Sequence, residues 1–192
     1  QNAWNRAPRL SKTTWVYGEA GANVSGYQSK FGDVIISYVG TDNDYDSAEM
    51  PTTAGKYKVV FTVAETENYA GLALEINFEI TKKTVNLPEI STSEIYTGEQ
   101  IVFAVDGEDY VVSGEKGTNV GNYTITLTLN DSANYKWVDS DEASIEVNVA
   151  ITKAQNSWTA QPNLSKTEWT YGEASATLNE YASRFGSATI KY

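Results

Sequence analysis

The sequence predicts an all-β protein made of tandem antiparallel β-sandwich modules, the last of which is incomplete. One observation is a repeat, because residues 1–38 recur as residues 155–192 with 20 of the 38 positions identical. Another is that apolar and polar residues alternate with a period of two, which is typical of strands that bury one face. A chain that repeats itself is usually an array of modules that acts through length, spacing and exposed surface.

A weaker repeat sets the module boundaries. Residues 54–69 resemble residues 120–135, and each segment is followed by a strand that ends in Ile-Thr-Lys. We therefore expect a first module at 1–83, a second and shorter module at 84–153, and the N-terminal half of a third at 154–192. Because the third stops half-way, we expect either that the chain is part of a longer protein or that strands from another molecule complete it.

The alternation assigns a buried face to each long strand, taken in chain order. In the first copy of the repeat, the residues at 34, 36 and 38 have repeat partners that can also be buried, whereas Ile35 pairs with Thr189 and Ser37 with Lys191. The even-numbered face of that strand is therefore expected to point inward. The inward residues of the four later strands are expected to be Tyr57, Val59, Phe61 and Val63; Leu74, Ile76, Phe78 and Ile80; Tyr123, Ile125, Leu127 and Leu129; and Ile145, Val147, Val149 and Ile151.

A Gly-x-Tyr sequence opens the long strand of each of the first two modules. Gly55 lies two residues before the inward Tyr57, and Gly121 lies two residues before the inward Tyr123. In immunoglobulin-like sandwiches a tyrosine near the start of the sixth strand bonds back to the chain just upstream, and a preceding glycine permits the tight entry. We therefore predict immunoglobulin-like modules in which these four residues have a structural role.

Two tryptophans near the start of the repeat are predicted to pack in module cores. Trp15 shares a strand face with Tyr17, and Trp169 shares one with Tyr171, while the residue between each pair changes from valine to threonine. An aromatic pair beside a variable neighbour is typical of core packing. The alternative is a platform on which a sugar ring stacks.

The composition argues against several classes of function. The net charge is −11, and nucleic acids and anionic lipids are bound through clustered lysine and arginine, so we expect no nucleic-acid partner and no membrane-surface binding. No stretch approaches the roughly 20 apolar residues that span a bilayer. Cysteine and histidine are both absent, which removes thiol nucleophiles, Ser-His triads and the commonest metal ligand. We therefore expect neither an enzyme nor a resident cofactor, with calcium as the one open possibility.

Short motifs recur in the same order along the modules. They are Tyr17-Gly18-Glu19, Gly55-Lys56-Tyr57, Asn68-Tyr69 and Ile80-Thr81-Lys82 in the first module, Tyr96-Thr97-Gly98-Glu99, Gly121-Asn122-Tyr123, Asn134-Tyr135 and Ile151-Thr152-Lys153 in the second, and Tyr171-Gly172-Glu173 in the third. This order resembles the bacterial immunoglobulin-like repeats called MBG domains of the YGX type, and the resemblance covers nearly the whole chain. The extra residue in the second module's first motif is a departure from that pattern.

The resemblance has implications for location and role. Such repeats occur in tandem in large surface-anchored or secreted bacterial proteins, where they are taken to be stalks and spacers and are sometimes adhesive. The resemblance therefore implies an extracellular location, at the bacterial cell surface or after secretion. It implies no catalytic residues.

An acidic loop in the first module is a candidate calcium site. Asp42, Asp44 and Asp46 recur at every second position, which is the opening spacing of a calcium-binding loop. The EF-hand pattern fails, because Ser47 stands where its glycine is needed and Thr53 where its final glutamate is needed. Two interpretations remain, namely a looser calcium site between strands and a solvated acidic hairpin loop.

Trp4 and its repeat partner Trp158 are candidate ligand-binding residues. Trp158 lies in the segment that follows the second module. One hypothesis is that Trp158 packs near the joint with the second module and stiffens it. The competing hypothesis is that these rings are exposed and stack on a ligand.

Together these observations predict a spacer or stalk that contacts neighbouring modules of the same chain. The alternative is an adhesin or carbohydrate-binding module that grips a glycan or a host protein through exposed loops or tryptophan rings. A third possibility is a fibre, that is, a homopolymer in which the unfinished module accepts strands from a neighbouring chain.

Overall fold

The computed structural model describes residues 1–191. Strands make up 43% of it and these residues include no helix, so the predicted all-β class is confirmed. The strands form several small sheets. The immunoglobulin-like sandwich topology stays a prediction.

The first module is built around one five-stranded sheet. Its nine strands are β1 (Trp4–Arg6), β2 (Arg9–Leu10), β3 (Thr14–Val16), β4 (Val24–Ser25), β5 (Gln28–Ser29), β6 (Ile35–Gly40), β7 (Asp46–Ser47), β8 (Gly55–Val63) and β9 (Leu72–Thr81). The main sheet has the order β3, β9, β8, β6, β7, and β1 with β5 and β2 with β4 form two small ladders. β3 runs parallel to β9, and the other pairs are antiparallel.

The core of the first module lies on one face of the main sheet. The inward residues of β8 are at most 3% exposed, as the alternation predicts. Trp15 of β3 is 5% exposed and stacks on Phe78 of β9 with ring centroids 5.2 Å apart. Trp4, Leu10 and Val24 from the small ladders pack against the same cluster. Each large apolar side chain buried here contributes about 1.5–3 kcal/mol.

The second module repeats this plan with a four-stranded sheet. Its eight strands are β10 (Lys83–Val85), β11 (Ser93–Ile95), β12 (Ile101–Val102), β13 (Tyr110–Ser113), β14 (Lys116–Gly117), β15 (Gly121–Leu129), β16 (Tyr135–Trp137) and β17 (Ser144–Thr152). The main sheet has the order β11, β17, β15, β13, and β10 with β16 and β12 with β14 form two ladders. β11 runs parallel to β17, just as β3 runs parallel to β9.

The two cores take their large aromatic residue from different strands. Trp15 pairs with Ile80 in the first module, and the second module has Glu94 at the same place, opposite Ile151. Its tryptophan is Trp137 of β16, which is fully buried. The alternation in the sequence does not predict the burial of this residue.

Among residues 154–191, the third repeat forms a small ladder and an isolated antiparallel bridge between Leu164 and Leu178. Its strands β18 (Trp158–Ala160) and β19 (Ala182–Ser183) pair as β1 pairs with β5. The prediction that Trp169 packs in a core is wrong for this structure, because Trp169 is 50% exposed whereas Trp15 is 5% exposed. The physical reason is that β8 and β9, which cover Trp15, have no copy among residues 154–191.

Candidate functional site

A set of hydrogen bonds and ring contacts lies where the first two modules meet. β10 follows directly after the first module and runs parallel to β16 of the second. The Lys83 N–H donates to the Asn134 carbonyl oxygen at 2.9 Å, and the Val138 N–H donates to the Val85 carbonyl oxygen at 3.0 Å. The connecting segment is therefore a strand of the second module rather than a free linker. We call these contacts, together with those of Asn134 and Tyr135, the joint.

Asn134 is the centre of the joint. It is 7% exposed, and its Oδ1 accepts a hydrogen bond at 2.8 Å from the Ala54 N–H of the first module. Its Nδ2 donates to Asp131 Oδ2 at 2.7 Å. One buried side chain thus connects a backbone group of one module to a carboxylate of the other. A buried polar group that keeps its partners stabilises one arrangement, because any other arrangement leaves it unpaired.

A local turn presents Asn134 to the first module. The carboxylate oxygen Oδ1 of Asp131 accepts from the Ala133 N–H at 3.1 Å and from the Asn134 N–H at 3.3 Å. Aspartate at the start of a turn commonly bonds to backbone groups two or three residues later. The bonds that fix the turn from Asp131 to Asn134 thus lie within the second module and do not depend on the first.

Tyr135 and two lysines complete the joint. The Tyr135 ring meets the Tyr17 ring edge-on, with centroids 5.5 Å apart. Lys83 Nζ lies 5.6 Å from the Tyr135 ring centroid, and Lys82 Nζ donates to the Ser132 carbonyl oxygen at 2.7 Å. Desolvation raises the pKa of the Tyr135 hydroxyl above its ordinary value, and the nearby Asp109 carboxylate adds to that shift.

A groove of about 460 Å³ runs beside the joint, between the two modules. Lys136 and Asp141 on its wall form an ion pair of 3.5 Å. Acidic and basic side chains both line the groove, so it concentrates no charge of one sign. The charged residues that line it are Asp42, Lys56, Glu79, Lys82, Lys136 and Asp141.

The two predicted tyrosines bond back to the chain upstream of their strands. Tyr57 Oη donates to the Thr53 carbonyl oxygen at 3.0 Å, and Tyr123 Oη donates to the Asn119 carbonyl oxygen at 2.6 Å. The two glycines differ. A Cβ atom added at Gly55 would lie 3.0 Å from Tyr57 Oη, whereas one added at Gly121 would meet nothing within 4 Å. The close approach of ring and backbone therefore requires glycine only at Gly55.

The predicted acidic loop is not arranged as a ligand set. Asp42 Oδ1 accepts from the Lys56 N–H at 3.1 Å and from Asn43 Nδ2 at 2.9 Å, and Asp46 lies in β7. Asp44 is solvent-exposed. Over residues 1–191, no three acidic side chains are placed so that they could hold a metal ion. The geometry favours the hairpin-loop interpretation over the calcium site.

The two candidate tryptophans lie in different environments. Trp4 is partly buried and packs against the first module's core, so its ring is not a free stacking surface. Trp158 is 49% exposed and lies beside an open cavity of about 320 Å³, which Asn156 and Phe185 also line. Trp158 is half exposed rather than packed, which favours the exposed-ring hypothesis.

The sequence pattern assigns no role to the residues that make the joint. Asn134-Tyr135 is visible in the sequence only as a recurring motif, and nothing in its pattern shows that the asparagine is buried. The one sequence feature that points to Asn134 is that Asn-Tyr recurs at the same place in two modules whose surrounding sequences differ. Ala54 and Asp131 carried no signal at all.

No protein-family model matches this chain, and no curated protein and no solved structure matches it. Within residues 1–191 there is also no helix with the length and apolar character needed to cross a membrane.

Proposed function

We propose that this chain is a non-catalytic structural segment, a stalk or spacer of a bacterial cell-surface or secreted protein. Its modules fix a distance and an orientation and catalyse no reaction, and the segment holds another part of the protein at that distance. The partners of each module are its neighbours along the chain. Neither nucleic acid nor a membrane is a partner of this acidic segment, and its location is extracellular.

The joint is the observation that carries this proposal. A spacer works only if its modules keep a fixed orientation, and a flexible linker would leave the distance undefined. Here the connecting segment is paired as a strand, and Asn134 bonds to both modules. The acidic surface, with a net charge of −11, keeps parallel copies of a stalk apart.

The Asn134→Ala variant tests the proposal. We expect the two modules of the wild-type chain to tumble together, and the variant to tumble as two partly independent bodies, as measured by ¹⁵N relaxation. The reason is that the Ala54 N–H loses its partner in the second module. Each module should keep its own fold, because the side chain of Asn134 belongs to neither core cluster.

Asn68→Ala is the matched control. Asn68 holds the same motif position in the first module, is exposed, and its side chain makes no hydrogen bond within residues 1–191. This variant should tumble like the wild type. Independent tumbling of the two modules in the wild-type chain would contradict the proposal.

A second candidate function is adhesion or carbohydrate binding at Trp158. The observation in its favour is the half-exposed ring beside an open cavity. Exposed tryptophan rings stack on sugar faces through their large apolar surface. Binding on a glycan array that disappears in Trp158→Ala and persists in Trp4→Ala would favour this function, and an array without any signal would exclude glycans as its ligands.

A further inference from the structure

The far end of the second module repeats the half of the joint that the first module provides. The Tyr17 N–H donates to the Thr81 carbonyl oxygen at 2.8 Å, and the Tyr96 N–H donates to the Thr152 carbonyl oxygen at 2.9 Å. Ala54 precedes the strand residue that faces Ile80, and Val120 precedes the one that faces Ile151. Tyr96, Val120 and Ala154 therefore occupy the places of Tyr17, Ala54 and Lys83. We call this set the receiving end.

Two backbone donors at the receiving end are free. In the joint, the Ala54 N–H bonds to Asn134 Oδ1 and the Lys83 N–H bonds to the Asn134 carbonyl oxygen. The N–H groups of Val120 and Ala154 have no hydrogen-bond partner within residues 1–191. The same pair of donors that holds an asparagine in one joint is thus presented without an acceptor at the next.

The third repeat supplies a platform for an aromatic ring. In the first module Asn2 bonds to both the N–H and the carbonyl oxygen of Phe31, and Phe31 stacks on Tyr69 with centroids 3.8 Å apart. In the third repeat Asn156 makes the same two bonds to Phe185, at 2.8 and 3.1 Å.

The Phe185 ring has no such stacking partner. It is 54% exposed, and the tyrosine on which its repeat partner Phe31 stacks has no copy among residues 154–191. Its backbone is nevertheless held as that of Phe31 is held. The backbone of Phe185 is therefore positioned as in the first module, while its ring stays exposed.

A cavity separates the platform from the receiving end. It has a volume of about 340 Å³ and is lined by Tyr96, Val120, Lys153 and Phe185, among others. Tyr96 is 38% exposed and Val120 is 45% exposed. The cavity lies between the Tyr96 and Phe185 rings. A tyrosine ring in this cavity would meet Tyr96 edge-on, as Tyr135 meets Tyr17, and would stack on Phe185.

We propose that the receiving end binds the Asn-Tyr turn of a completed third module. The asparagine takes the hydrogen bonds of Val120 and Ala154, and the tyrosine ring fills the cavity between Tyr96 and Phe185. This rests on the proposed spacer function and extends it, because one contact repeated at each junction would propagate a fixed orientation along an array.

A second copy of the chain is a poorer occupant. Of its two Asn-Tyr turns, the one at Asn134 and Tyr135 is engaged in its own joint. At the other turn, the Tyr69 ring is already stacked on Phe31 of the same module. That ring cannot stack on Phe185 as well. We therefore expect Phe185 to stack on a tyrosine of its own module, as Phe31 stacks on Tyr69.

The test uses the full chain with its third module completed from its own sequence. A second copy of residues 39–83 is joined after Tyr192, the repeat partner of Tyr38, so that the added copy carries the Asn-Tyr turn. Amide hydrogen exchange is then followed by NMR. We expect exchange at Val120 and Ala154 to slow by about tenfold or more relative to the 192-residue chain.

A single substitution separates the two bonds. Asn68→Ala, made only in the added copy, removes the side-chain acceptor of Val120 and keeps the backbone acceptor of Ala154. Val120 should therefore return to fast exchange while Ala154 stays protected. Equal exchange at Val120 with asparagine and with alanine would overturn the proposal, and so would an extended chain in which residues 158–190 gain no protection.

Two further measurements complete the test. Protection of Val120 that rises with concentration in the 192-residue chain would assign the site to a second copy and overturn the assignment to the third module. The Ala54 amide, measured with and without Asn134→Ala, reports on the first joint separately. Failure of the spacer proposal at Ala54 is thus distinguishable from failure of the present one at Val120.

Discussion

At the scale of single residues, position decides what a side chain does. Asn68 and Asn134 stand in the same motif, yet one is exposed and the other is 7% exposed and bonds to a neighbouring module. The difference is that Asn134 faces the first module, which supplies the Ala54 N–H, and within residues 1–191 the Asn68 side chain has no such donor. The same holds for Gly55 and Gly121, which open equivalent strands but have different contacts.

The two glycines give a matched pair of substitutions. We expect Gly55→Ala to destabilise the first module by about 1–3 kcal/mol, because the added Cβ would lie 3.0 Å from Tyr57 Oη and because a φ of 156° is rarely adopted by other residues. Gly121→Ala should be neutral or stabilise the second module by up to about 1 kcal/mol, since nothing lies within 4 Å and the unfolded chain becomes less free. Urea unfolding of both variants checks this, and equal losses would contradict the steric argument.

At the scale of strands, alternation predicts which face of each long strand is buried. It does not predict which strand supplies the core tryptophan of the second module. The inward faces of β8, β9, β15 and β17 could be predicted because one residue in two must be apolar when a strand buries one face. Trp137 could not be predicted, since β16 has three residues and shows no period. The joint was missed for a related reason, because its bonds link segments that are 80 residues apart, such as Ala54 and Asn134.

Removal of the second core tryptophan should unfold one module alone. Trp137 is fully buried, so Trp137→Ala should cost about 3–5 kcal/mol, a large part of the roughly 5–15 kcal/mol that stabilises a whole domain. The first module has its own core and should keep its thermal transition.

Trp169→Ala is the control for this prediction. Trp169 is 50% exposed, and its loss should change stability by about 0.5 kcal/mol or less. Calorimetry would resolve the transitions of the two modules. Loss of both transitions in Trp137→Ala would mean that the two cores fold as one unit.

At the scale of the whole molecule, charge and exposed aromatic surface oppose each other. The net charge of −11 repels other copies of the chain, whereas the third repeat exposes several large rings. In the first module Trp15 is buried, Phe31 stacks on Tyr69, and Tyr17 meets Tyr135 of the next module. The exposed rings are those of Trp158, Trp169, Tyr171 and Phe185.

This opposition predicts association when the charge is removed. Near the isoelectric point of about 4.4 the repulsion disappears, so the wild-type chain should associate reversibly, as measured by light scattering across a pH series. A variant with Trp158→Ser, Trp169→Ser and Phe185→Ser should stay monomeric at the same pH, because within residues 1–153 no tryptophan or phenylalanine ring is exposed. At neutral pH, 1 M salt should bring about part of the same association, since the screening length falls to about 3 Å. If the triple variant associates as strongly as the wild type, the contacts come from the neutralised surfaces of the first two modules, and the third repeat is not the adhesive face.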